Sequence, residues 1–175
     1  MAEKIMIIRH GEKPAKHQKG ILSTGQKSLD SLTVRGWQRA GALAQIFSHS
    51  NGGIEPPTKL FACYKSKHAQ RALDTITPLG ELLGIHVNTD IPRDSEKEMA
   101  RVAMNSEGIV LIAWEHKCIH KIANHIVDKR HVPQKWPNDR FDMIYVFDRQ
   151  LNGEYVFYQV PQLALKGDSS TIFKI

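Results

Sequence analysis

The sequence predicts an α/β protein, a three-layer α/β/α sandwich whose central sheet is mostly parallel with an antiparallel edge strand. Three observations predict it. Short, continuously apolar runs at residues 5–8 and 109–113 read as strands buried on both faces. Between such runs lie segments whose apolar residues recur at helical spacing, the alternation that builds a parallel sheet. Near the end, two β-rich runs flank Asn152-Gly153, a hairpin signal that adds the antiparallel edge. A length of 175 residues suits one domain with a core that needs no staples.

Taken in order, residues 4–9 form the first expected strand, because the middle of Lys-Ile-Met-Ile-Ile-Arg is continuously apolar. A polar loop with glycine and lysine follows to about residue 32. Thr33 caps an expected helix over 34–48, with Trp37, Ala40, Ala44 and Phe47 on one stripe. Asn51-Gly52-Gly53 and Pro56-Pro57 end it in a turn. Residues 59–62 make a second strand. The next helix is expected over 67–83, with Ala69, Ala72, Leu73, Ile76 and Leu83 on its apolar face. Pro78 should kink or divide it, and Gly84 should end it. A weak strand at 85–87, a polar loop at 90–95 and a helix at 96–105 come next. The strand at 108–113 leads into a helix with Ile119, Ile122, Ala123, Ile126 and Val127 on one face. Pro133, Pro137 and Asn138 mark a loop before the hairpin strands at 142–147 and 154–160.

Composition excludes more than it assigns. Apolar residues at 41% and charged residues at 24% describe a globular chain, not a disordered one. Lysine and arginine total 24 against 18 acids, a net charge of +6 that favours anionic ligands of any size. The basic residues are scattered, and neither zinc-finger spacing nor aromatic–basic interleaving is present, so nothing asks for nucleic acid. Cys63 and Cys118 form no CxxC pair and no disulfide framework. With no secretory leader, a reducing, cytoplasmic setting is expected. No stretch approaches the roughly 18 apolar residues of a membrane span. No motif asks for a cofactor.

In open α/β sheets, ligands bind outside the carboxyl ends of the strands. The first strand delivers Arg9, His10 and Glu12 to that edge. The second delivers Lys65, His68 and Arg71, and the strand at 108–113 delivers Glu115 and His116. Each alone reads equally well as a surface feature. Together they suit a phosphoryl group, because guanidinium forks match phosphate oxygens.

Arg9-His10-Gly11-Glu12 after an apolar strand resembles the RHG signature of the histidine phosphatase superfamily, the phosphoglycerate-mutase-like fold. Leu32-Thr33-x-x-Gly36-x-x-Arg39-Ala40 is similar to that family's LTxxGxxQA segment, with Arg39 where glutamine is common. Ser66 and Arg71-Ala72-x-x-Thr75 resemble its second-arginine motif, and the strand before His116 resembles the one presenting its second histidine. The resemblance implies His10 as nucleophile through a phosphohistidine, with Arg9, Arg71 and His116 around the phosphate. Lys65 is a further candidate for the substrate pocket.

Two departures bear on substrate. The family places a proton donor either as a glutamate after the third strand or as an aspartate directly after the second histidine. Lys117 occupies the latter position here. Asp94 and Glu12 are the leading candidates for the acid, with Asp90, Glu96, Glu98 and Glu115 also near that edge. The short chain leaves little to cover the pocket, which favours hydrolysis of a phosphorylated small molecule or phosphoprotein over mutase-type phosphoryl return. Two other classes compete. His116 and His120 at i, i+4 have metal-ligand spacing but lack the intervening glutamate of a metalloprotease motif. A non-catalytic phosphate-recognition protein would keep the arginines and lack a competent acid. Of the three tryptophans, Trp37 reads as core, Trp114 as pocket wall or packing, and Trp136 as an exposed loop indole open to a ligand.

Overall fold

The computed structural model describes residues 1–63 and 70–175. Its elements in chain order are β1 (Lys4–Arg9), β2 (Gly20–Ile21), β3 (Lys27–Ser28), α1 (Val34–Ile46), β4 (Lys59–Ala62) and α2 (Gln70–Leu83), followed by β5 (Val87–Asn88), α3 (Glu96–Asn105), β6 (Ile109–Trp114), α4 (His116–Ile126), β7 (Met143–Arg149) and β8 (Tyr155–Pro161). Among these, β2 and β3 form a small hairpin that the polar sequence of residues 12–32 does not signal.

Six strands make the main sheet in the order β5-β4-β6-β1-β7-β8. β5, β4, β6 and β1 run parallel, with Ile8 beside Ala113 at the β1–β6 seam. The terminal hairpin supplies the antiparallel edge, because β7 runs against both β1 and β8. After β1 the chain steps out to β4 and β5, then reverses direction to reach β6. Right-handed crossovers therefore place α1 and α2 on one face of the sheet and α3 on the other. α1 packs on α2, and α3 packs on α4. The reversal makes β1, β6 and β4 adjacent, so the carboxyl ends of all three lie together at one edge of the sheet.

The strands are apolar because both faces are covered: Ile5, Met6, Ile7 and Ile8 are all fully buried, as are Val110 to Trp114. Thr33 caps α1, its hydroxyl accepting from the Gly36 N–H at 3.0 Å. α2 runs undivided through Pro78. Hydroxyls hold the turns around it, with Thr75 Oγ1 donating to the Arg71 carbonyl and Thr77 Oγ1 to that of Leu73. Trp136 is buried, not exposed. Its Nε1 donates to the Arg140 carbonyl, and its ring packs against Tyr145 and Phe173. Trp114 is fully buried under α3, its Nε1 donating to Glu96 Oε1 at 3.2 Å. Among the described residues no helix is long and apolar enough to cross a membrane.

Arg39, where the resembling motif has glutamine, is a buried ionic hub. Its Nε and Nη2 both donate to the Glu12 carboxylate, while Nη1 and Nη2 reach Asp168 and Nη1 also reaches Gln162. The hub joins α1, the loop after β1 and the C-terminal segment. Removing one partner of a buried ionic group leaves the others uncompensated, at a cost of about 3 kcal/mol or more. Arg39→Met is expected to lower the unfolding free energy by that order, measured by urea denaturation at pH 7.

Candidate active site

Arg9 ends β1 fully buried. Its Nη1 donates to the carbonyls of Pro137, Asn138 and Arg140 at 3.2, 2.8 and 2.7 Å. The guanidinium carbon sits 3.7 Å above the centre of the Phe141 ring. Nε and Nη2, equally buried, have no hydrogen-bond partner among the described residues. Burial lowers the pKa of Arg9 to about 10, against the opposing charges of Glu12, Asp139 and Glu115, so the group is still a cation at pH 7.

His10 follows in the crevice. Its Nδ1 lies 2.7 Å from the Gly11 carbonyl oxygen, which can only accept, so Nδ1 carries the proton and Nε2 keeps its lone pair. Burial, reinforced by the charges of Arg9, Arg71 and His116, pushes the His10 pKa down to about 3. The ring is thus a neutral base.

The three motifs of the resemblance meet at the turn that carries His10. The Gly11 N–H donates to Thr75 Oγ1 at 2.7 Å, bringing in α2. The Glu12 carbonyl accepts from the Thr33 N–H and hydroxyl, bringing in the start of α1. The backbones touch so closely that a Cβ on Gly36 would lie 2.6 Å from the Glu12 carbonyl oxygen, and one on Gly11 would lie 3.0 Å from that of Gly36. Both positions need glycine for that reason.

His116 opens α4, nearly fully buried. Its Nε2 donates to Asn138 Oδ1 at 2.8 Å, while Nδ1 has no partner among the described residues. Burial and the Arg9 charge lower its pKa. Arg71, in the first turn of α2, is held by carbonyls, with Nη2 donating to Leu29 at 2.7 Å and Nε to Ser31 at 3.3 Å. Asn138 therefore fixes two members of the site, Arg9 through its carbonyl and His116 through its amide. In the sequence it reads only as a loop marker, since nothing local reveals that its partners lie on β1 and α4.

No protein-family model matches the sequence, and no curated protein matches it. Solved structures do. The protein histidine phosphatase SixA, complexed with tungstate, aligns at a TM-score of 0.57 and 11% identity, over 91% of this chain and 97% of that one. The mycobacterial glucosyl-3-phosphoglycerate phosphatase aligns at 0.58 and 12%, over 93% and 99%. A phosphoserine phosphatase of Entamoeba histolytica, in complex with 3-phosphoglyceric acid, aligns at 0.58 and 16%, over 90% and 95%. The chain has the histidine phosphatase fold.

On this fold Arg9, His10, Arg71 and His116 come together, while the expected acids do not stand ready beside them. Glu12 turns away into the Arg39 hub, with Arg35 also 3.3 Å away. Asp94, 77% exposed with a left-handed backbone, clusters with Glu96 and Cys118. Glu96 accepts from Trp114 and from the Asp94 N–H, Asp90 from Asn88, and Glu98 from Arg101. The carboxylate whose charge reaches Arg9, Arg71 and His116 is that of Glu115, 2.6 Å from Arg93 Nε. The Asp94, Glu96 and Cys118 group has metal-ligand proximity but includes neither His116 nor His120. Lys65, Ser66 and His68 lie outside the described residues.

The depressed His10 pKa has a consequence for stability. Between pH 6.5 and about 3 the unfolded chain binds a proton at His10 that the native state refuses, so native stability falls as pH drops through that window. The slope for one such group is at most about 1.4 kcal/mol per pH unit. Urea denaturation from pH 7 to pH 5 is expected to show this loss in the parent and a shallower one in His10→Gln.

Proposed function

We propose that the chain is a phosphatase that hydrolyses a phosphate monoester, of a small molecule or a phosphoprotein, through a phosphohistidine on His10. One observation carries the reading: the buried N–H groups of Arg9 that lack partners lie within electrostatic reach of a neutral histidine whose free nitrogen is Nε2. Buried donors without acceptors are rare, and a phosphoryl group supplies oxygens to accept them.

In the first step the Nε2 lone pair of His10 forms the N–P bond as the bond from phosphorus to the ester oxygen breaks, and the leaving group departs with that electron pair. Arg9 and Arg71 hold the equatorial oxygens, where charge must be stabilised as the phosphoryl group moves. A phosphate dianion beside His116 favours its protonated form, which makes Nδ1 a third donor. In the second step a water oxygen attacks phosphorus, the N–P electron pair returns to Nε2, and inorganic phosphate leaves. The relatives by fold are named as a protein histidine phosphatase, a phosphoserine phosphatase and a glucosyl-3-phosphoglycerate phosphatase, which supports the same class of chemistry here. Cys63 and Cys118 are buried and unbonded, in keeping with a reducing, cytoplasmic setting.

Glu12 is held by Arg39, Glu115 lies against Arg93 and Asp94 is exposed, so proton delivery to the leaving group is weakly provided. Esters with good leaving groups, which need little protonation, suit such a site best. Turnover of 4-nitrophenyl phosphate is expected to exceed that of an alkyl phosphate by at least about 10²-fold, the lower end of what general acid catalysis contributes. Equal rates would show that a side-chain acid operates.

Covalent chemistry gives the direct test of the proposed function. A reactive phosphodonor is expected to label the parent with an acid-labile, base-stable phosphate, and His10→Ala is expected to abolish the label with an unchanged circular dichroism spectrum. Equal labelling of the variant would remove His10 as nucleophile. Arg71→Ala is expected to weaken vanadate binding by roughly 10-fold or more, as the loss of a charge-assisted hydrogen bond implies.

A further inference from the structure

The sheet edge formed by β8 is open. β8 bonds to β7 on one side and to no strand among the described residues on the other. The register says which of its backbone groups face outward. The Arg149 N–H of β7 donates to the Glu3 carbonyl on the β1 side, and the Gln162 N–H, just past β8, donates to the Asp142 carbonyl just before β7. Antiparallel partners alternate between pairs that exchange hydrogen bonds and pairs that do not. The even-numbered residues of β8 therefore bond to β7, and Tyr155, Phe157 and Gln159 turn their N–H and C=O groups away from the sheet. Exposed edges are usually kept very short, charged or covered, because they pair with any strand they meet. The opposite edge strand, β5, is two residues long. β8 runs for seven, Tyr-Val-Phe-Tyr-Gln-Val-Pro, without a charge.

Two apolar features sit at opposite ends of this strand. Before its start, the hairpin tip carries Leu151, fully exposed to solvent. At its finish a cavity of about 420 Å³ opens between the end of α1 and the end of β8, with Ile46, Ile54, Val160, Pro161 and Leu163 in its wall. Leu163 is more than half exposed, and so is Val156 on the strand itself. Val156 shares one face of β8 with Val160 of the cavity wall and with Tyr158, whose hydroxyl reaches the Gly53 carbonyl. A projecting leucine and an apolar cavity at the two ends of one strand cannot meet within one molecule. They meet when two copies of the strand lie antiparallel.

We propose that the β8 edge is the docking surface for a second copy of this chain, paired antiparallel about a two-fold axis at Phe157. That register sets Phe157 against its own copy and Tyr155 against Gln159, so the outward N–H and C=O groups of all three find partners. Moving the axis toward Pro161 forfeits bonds, because proline has no N–H to give. The exposed Val156 then lies opposite the partner's Tyr158, and Leu151 is carried to the partner's Leu163 at the cavity wall. Seven residues at about 3.4 Å each make an edge about 24 Å long. With the side chains of both faces and two hairpin tips, the pairing covers on the order of 1,000 Å² in total, the lower bound for specific association. A closed dimer with a dissociation constant in the micromolar range follows.

Sedimentation equilibrium from about 1 µM to about 1 mM, on the parent and on Leu151→Asp, Val156→Lys and Leu82→Asp, tests it. All three side chains are exposed, so each variant is expected to keep the parent's circular dichroism spectrum. The parent is expected to pass from monomer to dimer within that range. Leu151→Asp and Val156→Lys are expected to raise the dissociation constant about 10-fold or more, while Leu82→Asp, an exposed leucine on α2, leaves it within about 2-fold. Hydrogen exchange reads the same edge without a substitution. Amides of the peptide spanning residues 155–161 are expected to exchange about 10-fold more slowly above the dissociation constant than below it. A parent that stays monomeric throughout overturns the proposal, and so does an assembly larger than a dimer. A dimer that survives both edge substitutions, or that Leu82→Asp weakens as much, places the contact elsewhere and also overturns it. A capped Thr-Val-Thr-Val-Thr-Val-Thr peptide that binds the chain more tightly than the chain binds itself overturns the choice of partner.

Discussion

The guanidinium of Arg9 is the constraint around which the rest of the site is arranged. Withdrawing a charge from water costs several kcal/mol, and three backbone carbonyls and the Phe141 face offset part of it. Those carbonyls come from the loop after Trp136, so the loop must be held against β1. The C-terminal segment does the holding. Arg140 donates to the carbonyls of Ser169 and Thr171, Asp142 accepts from the Ser169 N–H, and Phe173 packs on Trp136. Two nitrogens of Arg9 still lack partners among the described residues, and an anion that binds them stabilises the native state by mass action. On the proposed function, phosphate recognition and folding are coupled through one side chain.

The parts legible in the sequence are those fixed by local physics. An apolar run with polar flanks can only be a covered strand, so β1 and β6 are readable within a residue, and the Asn152-Gly153 turn sets the hairpin register. The convergence of Arg9, His10, Arg71 and His116 follows from strand ends and one change of strand order. The illegible parts depend on partners far along the chain. Asn138 sits between prolines and charged residues, and its importance appears only when β1 and α4 approach it. Trp136, between Lys135 and Pro137, has the local surroundings of an exposed residue, yet Tyr145 and Phe173 bury it. Residues 162–175 show no periodicity because side-chain and backbone hydrogen bonds, not secondary structure, fix their path.

Arg39 shows how a single departure from a motif reshapes its surroundings. An arginine adds a buried charge that a glutamine lacks, and Glu12 and Asp168 answer it. Glu12 is consequently drawn away from the crevice, although its backbone continues the turn that carries His10. The same charge ties the C-terminal segment to the floor of the site. The sequence position of Glu12 suggests an acid beside the nucleophile, whereas the position of Arg39, 27 residues later, decides otherwise.

The two histidines illustrate how identical side chains take different parts when their second nitrogens are held differently. A carbonyl oxygen holds Nδ1 of His10, so the nitrogen left for chemistry is Nε2, as a lone pair. An amide oxygen holds Nε2 of His116, so the nitrogen left is Nδ1. Both pKa values are depressed, yet the order of causes separates them. For His10 the charges of Arg9, Arg71 and His116 all add to burial, with the Gly11 hydrogen bond opposing. His116 has Glu115 as well as its hydrogen bond to Asn138 pulling the other way. An arriving phosphate dianion favours protonation at both rings, and at His116 burial and the Arg9 charge oppose it while Asn138 and Glu115 offset part of that opposition. On the proposed reading the proton settles there, where it turns Nδ1 into a donor to the phosphoryl oxygens, and His10 stays neutral as the nucleophile must. Such a division of roles asks for no carboxylate in the first step, which is consistent with a crevice from which Glu12 is withdrawn by Arg39.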